Sequence, residues 1–139
     1  MVPFQKFTLK DNIVANFTLT AVEIRDHIQF VVKRVYFIQD FKGDTSAHCH
    51  YIEDEMFVIV KGSVTAVLDY GNGIEDVLLK GSEAFFAGHY VWHGFKNASS
   101  DCVILALSST NYNPDRTDYL DNYEQYQKIR DKKLSEYKA

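Results

Sequence analysis

The sequence predicts an all-β fold, a jelly-roll type sandwich or barrel, followed by one C-terminal α-helix. Three observations predict it. Short apolar runs alternate with polar residues and are cut by Gly-containing turns about every ten residues. Phe and Tyr are abundant, ten and nine, against only two prolines, a composition that suits pleated, half-buried strands. After Asn111-Tyr112-Asn113-Pro114-Asp115 the period changes from two to three or four.

The elements follow in order. Ile13 to Val22 alternates loosely and reads as a first long strand. Gln29 to Ile38 reads as a second, with Phe30, Val32, Arg34, Tyr36 and Ile38 on one face and Lys33, Val35 and Phe37 on the other. Such a strand is apolar on both faces and is expected to be covered twice, by a second sheet or by a partner subunit. Residues 40–44 form a turn. Ala47-His48-Cys49-His50 is the next strand, and Met56–Val60 the one after, closed by Lys61-Gly62. Ser63–Tyr70 returns through Gly71-Asn72-Gly73, a hairpin signal because glycine tolerates positive φ. Strands at Glu75–Lys80, Ala84–Ala87, Trp92–Lys96 and Cys102–Leu107 complete roughly eight to eleven. Thr117 to about Tyr137 carries Tyr119/Leu120, Tyr123, Tyr126 and Ile129 at helical spacing, with Thr or Asp as the expected cap. All 139 residues are expected to form one domain.

Composition excludes several classes. A net charge of −4 argues against nucleic-acid or anionic-membrane binding by bulk charge. The apolar runs are far too short to span a bilayer as helices, and the N-terminus lacks a signal-peptide core. Two cysteines, Cys49 and Cys102, make no disulfide framework, so a reduced, cytoplasmic protein is expected.

The chemistry concentrates in two stretches. His48 and His50 share a strand face, Glu55 opens the next strand, and His93 with Asn97 follows a second Gly-bounded strand. This H-x-H, four residues, Glu, six residues, Gly pattern, then H-x-x-x-N, is similar to the two motifs of the cupin superfamily. Of five histidines (His27, His48, His50, His89, His93), four lie in these regions. Neutral imidazoles can ligate a metal, and one near its ordinary pKa can move protons. With Glu55 as fourth ligand, His48, His50 and His93 would suit a divalent transition metal such as Fe, Mn, Ni or Zn. Glu55 could equally be a solvated strand-end residue, or a buried carboxylate that orients a histidine. Arg34 on an inward face requires an anion or several acceptors. Tyr36 shares that face, as core or as site residue. Trp92 is a candidate wall for a flat or sugar-like ligand, or core. Cys49, facing away from the imidazoles, is packing.

Taken together, Lys33-Arg34-Val35-Tyr36-Phe37-Ile38-Gln39-Asp40, His48-x-His50, Gly62-Ser63, Val91-Trp92-His93, Ser99-Ser100-Asp101-Cys102-Val103 and Asn111-Tyr112 leading to Thr117-Asp118-Tyr119-Leu120-x-x-Tyr123 resemble the FdtA/QdtA (WxcM-like) sugar 3,4-ketoisomerases. The resemblance runs from about Leu19 to Tyr126. It implies a homodimeric isomerase that converts a dTDP-linked 4-keto-6-deoxyhexose to the 3-keto sugar for surface-polysaccharide synthesis, with no metal or organic cofactor. Carried over, His48 is the proton acceptor, with His50 and Tyr36 as its catalytic partners. Arg34, Glu55, Trp92, His93 and Arg116 are the expected substrate-binding residues. Where the family usually has a Gln, this chain has Glu55, and two family arginines are replaced at Asn16-Phe17 and within Thr45-Ser46-Ala47. Arg34, Lys33, Arg25 and Arg116 remain for a diphosphate. The alternatives are a metal-dependent cupin enzyme using His48, His50, Glu55 and His93, and a non-catalytic sugar-binding cupin.

Overall fold

Two antiparallel sheets pack face to face in a computed structural model that describes residues 2–138. The strands are β1 (Phe4–Thr8), β2 (Asp11–Ile13), β3 (Thr18–Thr20), β4 (Arg34–Ile38), β5 (Cys49–His50), β6 (Glu55–Lys61), β7 (Ser63–Asp69), β8 (Glu75–Lys80), β9 (Glu83–Ala87), β10 (Trp92–Lys96), β11 (Val103–Ser108) and β12 (Tyr119–Leu120). A short helix, α1 (Ile24–His27), precedes β4, and α2 (Tyr123–Ser135) follows β12. One sheet runs β1-β9-β6-β11-β4 and the other β10-β7-β8. The β12-β5 ladder joins the second sheet through a bridge between His48 and His93. The all-β jelly-roll class with one C-terminal helix is therefore present.

Strand alternation decides the core. Phe57 and Ile59 of β6, Phe85 of β9 and Ile104 of β11 meet Val64, Ala66 and Leu68 of β7 and Phe95 of β10 between the sheets. The residues that alternate with them, Met56, Val58, Ala84 and Phe86, pack outside the larger sheet beneath Ile28, Phe30 and Val32. That continuous burial explains why β6 reads as an unbroken apolar run.

Several boundaries differ from expectation. Ile13–Val22 is not one strand. The chain reverses at Ala15-Asn16, and Val14 N–H donates to the Phe17 carbonyl at 2.9 Å, making a β2–β3 hairpin. β1, which the sequence reading omits, pairs with β9. The long Gln29–Ile38 strand shrinks to Arg34–Ile38, and its outer face is open in this chain, with Val35 53% and Phe37 66% exposed. The C-terminal helix begins at Tyr123, six residues late, because Tyr119-Leu120 pairs with His50 and Cys49 instead. Its cap is Asn122, whose side chain accepts from Gln125 N–H at 3.0 Å.

Two glycines permit close approaches, and the second positions the site. Gly62 has φ +76°, and a Cβ there would overlap Ser99 and the Cys102 backbone. At Gly94 a Cβ would lie 2.8 Å from the Ala47 Cβ, so only glycine lets the His48 strand lie so close to β10. The helix α2 docks through Asp69, which accepts from Tyr123 OH at 2.7 Å and from Arg130 Nη1 at 2.9 Å. Among the described residues no helix is long and apolar enough to cross a membrane.

Candidate active site

The imidazoles, the carboxylate and the phenol singled out above converge at one end of the sandwich. Alternation along residues 48–50 puts His48 and His50 on one face and sends Cys49 into a separate cluster with Trp92, Leu120 and Tyr126. His48 Nε2 and His50 Nε2 lie 3.1 Å apart. Glu55, 2% exposed, lies opposite Ser108 on β11. Its Oε2 is 3.4 Å from His50 Nε2 and 3.1 Å from His93 Nε2. Its Oε1 accepts from Tyr36 OH at 2.6 Å. Beside this cluster opens a cavity of about 520 Å³, lined by Tyr36, His50 and Glu55 within and by Tyr112, Arg116 and Tyr119 among its other walls. His48 and His93 lie just behind that lining, in contact with His50 and Glu55.

The surroundings drive the two strand histidines apart. Burial, and then the neighbouring His93 and His50, push His48 down to about 3, so it is a neutral imidazole at working pH. Its Nδ1 faces the Ser46 carbonyl at 3.3 Å. The ring proton therefore belongs on Nδ1, and the Nε2 lone pair is left to face His50 Nε2. For His50 burial again acts downward, but the hydrogen bond and charge of Glu55, and then Glu53 and Asp118, outweigh it and raise its pKa. Burial opposes ionisation of Glu55, yet the hydrogen bonds and charges of His50 and His93 hold it well below the carboxylate range. Burial, then the adjacent Glu55, raises the Tyr36 phenol, which stays protonated.

Sequence reasoning missed several members. Glu53 is buried, receives a hydrogen bond from Ser108 and pairs with Arg34 Nη2 at 2.6 Å. It lies two residues before Glu55, so its place on the same face was legible. Asp118 Oδ2 is 3.3 Å from His50 Nδ1, while Oδ1 accepts from the Tyr51 and Ile52 amides at 2.9 and 2.8 Å. Tyr119 stacks on His48. Periodicity does not announce those two, because a two-residue ladder carries almost none; only the family-like segment Thr117-Asp118-Tyr119-Leu120 draws attention to them, without assigning them to the site. Tyr112, named above only within a family-like segment, is exposed on the cavity rim.

The expected ligand-binding residues divide. Arg34 reaches the cavity, but its guanidinium is committed to Glu53 and lies 5.3 Å from the Tyr36 ring centroid. Arg116 lines the cavity mouth, and no carboxylate lies within 4.0 Å of it among the described residues. Arg25 is beside a second cavity of about 200 Å³, and Lys33 lines neither. Trp92 is a correction. Neighbours on a strand face opposite ways, so with His93 turned to Glu55, Trp92 turns away, 4% exposed between Tyr123 and Tyr126. It is core rather than a wall of the cavity. Of the remaining histidines, His27 stacks on Phe7 and His89 bonds Asp54, both outside the cluster.

A metal would find donors here. His48, His50 and His93 each offer a nitrogen within 4.8 Å of the others, and His50, Glu53 and Glu55 form a similar group. Donor separations of 3.1 to 3.4 Å suit neighbouring ligands of an ion bonded at about 2.1 Å.

Comparison with known proteins gives the geometry its context. The family model described as FdtA: WxcM-like, C-terminal, matches residues 2–131. A TDP-4-oxo-6-deoxy-alpha-D-glucose-3,4-oxoisomerase from Aneurinibacillus thermoaerophilus is 37% identical over 114 residues, 80% of this chain and 81% of that protein. The QdtA 3,4-ketoisomerase from Thermoanaerobacterium thermosaccharolyticum, solved as a double variant with TDP, superposes with a TM-score of 0.83 at 28% identity, covering 96% of this chain and 97% of that one. A single variant of the same enzyme, solved with TDP-4-keto-6-deoxyglucose, gives 0.82 at 26% identity over 95% and 96%. With the match running nearly end to end and the two histidines, phenol and carboxylate meeting at one cavity, the chain belongs to the FdtA, WxcM-like C-terminal family.

Proposed function

We propose that this protein is a sugar-nucleotide 3,4-ketoisomerase that converts a dTDP-4-keto-6-deoxyhexose to the dTDP-3-keto-6-deoxyhexose. One observation carries the reading: two imidazoles in contact, one held neutral and the other favoured as a cation. Neighbouring titratable groups pushed apart in this way are the mark of paired base and acid.

The chemistry follows from that pair. His48 Nε2 takes the proton from C3, which is acidic because it adjoins the C4 carbonyl. His50 gives a proton to the developing C4 oxygen, and an enediol results. His50 then recovers a proton from the C3 hydroxyl as that carbon becomes the ketone. The proton on His48 returns to C4, so both imidazoles end as they began. Tyr36 donates to Glu55, which leaves its oxygen to accept from a sugar hydroxyl. Glu55, ionised behind His50 and His93, supports the charge on His50. Arg116, the cavity-lining arginine without an ion pair among the described residues, holds the diphosphate.

A homodimer completes the reading, supported by the exposed Val31, Val35 and Phe37 beside and along β4. Two free, buried cysteines suit a cytoplasmic setting, and the 3-keto product suits surface-polysaccharide sugar synthesis. The decisive experiment is incubation with dTDP-4-keto-6-deoxyglucose in heavy water. Deuterium should enter at C3 and C4 as the 3-keto sugar forms. No incorporation with any keto-sugar nucleotide would leave a binding protein instead.

The reaction is proposed to proceed without metal. The donor spacing supports a second reading, in which His48, His50, Glu55 and His93 hold a divalent ion that polarises the sugar carbonyl. Metal analysis separates the two. Stoichiometric metal that is lost in His50→Ala supports the second.

A further inference from the structure

Tyr119 reaches the site through a ladder only two residues long. β12 pairs with β5 so that Tyr119 faces His50 and Leu120 faces Cys49. Leu120 and Cys49 are both buried in the cluster around Trp92, and alternation then delivers Tyr119 to the face that His48 and His50 occupy. Its ring lies flat on His48, with centroids 4.2 Å apart and planes within 17°. It meets His50 edge-on at 4.7 Å. The Arg116 guanidinium carbon is 4.4 Å from the same centroid. Two groups so close to one ring centre cannot share a face, so Arg116, Tyr119 and His48 form three layers.

The middle layer matters because the other contacts of the His48 ring set its plane loosely: His93 meets it at 4.7 Å but tilted by 57°, whereas Tyr119 lies nearly parallel to it. Its Nδ1 contact to Ser46 is long, 3.3 Å, against 3.0 Å for His93 Nδ1 to the Val91 carbonyl. Its Nε2 contact is to His50, which must turn to the sugar oxygens during the proposed reaction. Once it does, the imidazole plane is set mainly by the ring stacked on it. Tyr36 cannot substitute, because its hydroxyl is tied to Glu55 across the cavity.

We infer that Tyr119 is a positioning residue: its ring face, clamped by Arg116, holds the His48 imidazole so that Nε2 stays aimed at the substrate carbon. The inference rests on the ketoisomerase reading and deepens it. It assigns the role to the ring and none to the phenol hydroxyl.

The test compares Tyr119→Phe, Tyr119→Leu and Tyr119→Ala. Phe keeps the stack and should keep kcat within about threefold, whereas Leu and Ala should lose about 100-fold in kcat with much smaller changes in KM, the scale of a misplaced reacting group. Leu retains apolar bulk, so a folding failure of Ala alone does not decide the matter. A kcat near the parent's in a folded Leu or Ala variant overturns the proposal. So does a Phe variant as damaged as Ala, which would move the role to the hydroxyl. A readout independent of turnover is the imidazole proton–nitrogen NMR spectrum, with His48 assigned by its loss in His48→Asn. The His48 carbon-bound protons should be shifted upfield by the overlying ring in parent and Phe, and not in Ala or Leu. An identical His48 signal in all four removes the stack. An intact stack in a parent that turns over no keto sugar counts against the ketoisomerase reading and leaves the ring contact standing.

Discussion

Asp69 and Glu55 are both buried carboxylates, and the protein uses them differently. Asp69 is saturated. Oδ1 accepts from the amides of Gly71 and Gly73 at 2.9 and 3.3 Å, and Oδ2 takes Tyr123 OH and Arg130. Its pKa is lowered; burial acts against ionisation, and the Gly71 amide, Tyr123 and Arg130 overcome it. Around Glu55 the accounts stay open: Glu55 Oε2, His50 Nδ1 and Arg34 Nε are buried with no well-formed hydrogen bond among the described residues. A saturated carboxylate rivets the helix α2 to the sheet. An unsaturated cluster stores capacity for a ligand's polar groups. The contrast teaches where structure ends and chemistry begins in this fold.

The sharpest way to break that contrast is His48→Asn. It should reduce turnover by about a thousandfold or more while the melting temperature stays near the parent's. Near-normal deuterium exchange in that variant removes His48 as the base. Next comes Asp69→Ala, which takes the buried acceptor from Tyr123 OH and from Arg130 and leaves Arg130 only the exposed Asp131. Denaturant unfolding should show a loss of about 3 kcal/mol, with activity per folded molecule retained. A stable Asp69→Ala protein would mean the rivet is not one.

The two carboxylates should also separate by pH. His50 is raised, so the stability it contributes is complete below its ordinary pKa of about 6.5 and is lost as pH climbs through the folded value. His48, lowered to about 3, acts the other way: between about 3 and 6.5 the unfolded chain binds the proton and the fold does not, so stability rises with pH there. His48→Asn should flatten that acid slope in pH-dependent melts. Glu55→Gln should lower kcat on the order of tenfold and move the basic limb of the pH–rate profile to lower pH, because His50 loses its anion. Asp69→Asn should leave that limb unmoved. The smallest effect belongs to Trp92→Phe, which should change KM by less than about twofold while costing about 1–3 kcal/mol of stability as a core truncation. A large KM effect would return Trp92 to the ligand site.

Much of this was readable before any coordinates. The H-x-H alternation, the Gly-bounded strands and the Glu55–His93 spacing place side chains by strand geometry alone, and that geometry is rigid. What escaped was the product of contacts distant in sequence. Asp118 and Tyr119 enter the site because two residues pair with β5, a ladder too short to leave a pattern. The same pairing delays the helix, which periodicity extends back to Thr117. The β2–β3 hairpin was hidden because Asn16 turns the chain inside an otherwise strand-like run. Trp92 was misread because the motif names it beside His93, although adjacent strand positions face opposite ways.

The short β12–β5 ladder also has a consequence for biosynthesis. Every strand of the two larger sheets lies upstream of residue 109, whereas the carboxylate and ring that enclose the imidazoles are translated afterwards. The sandwich strands can therefore all be synthesised while the cavity still lacks one wall, and that wall is completed only once residues 119–120 have paired with β5.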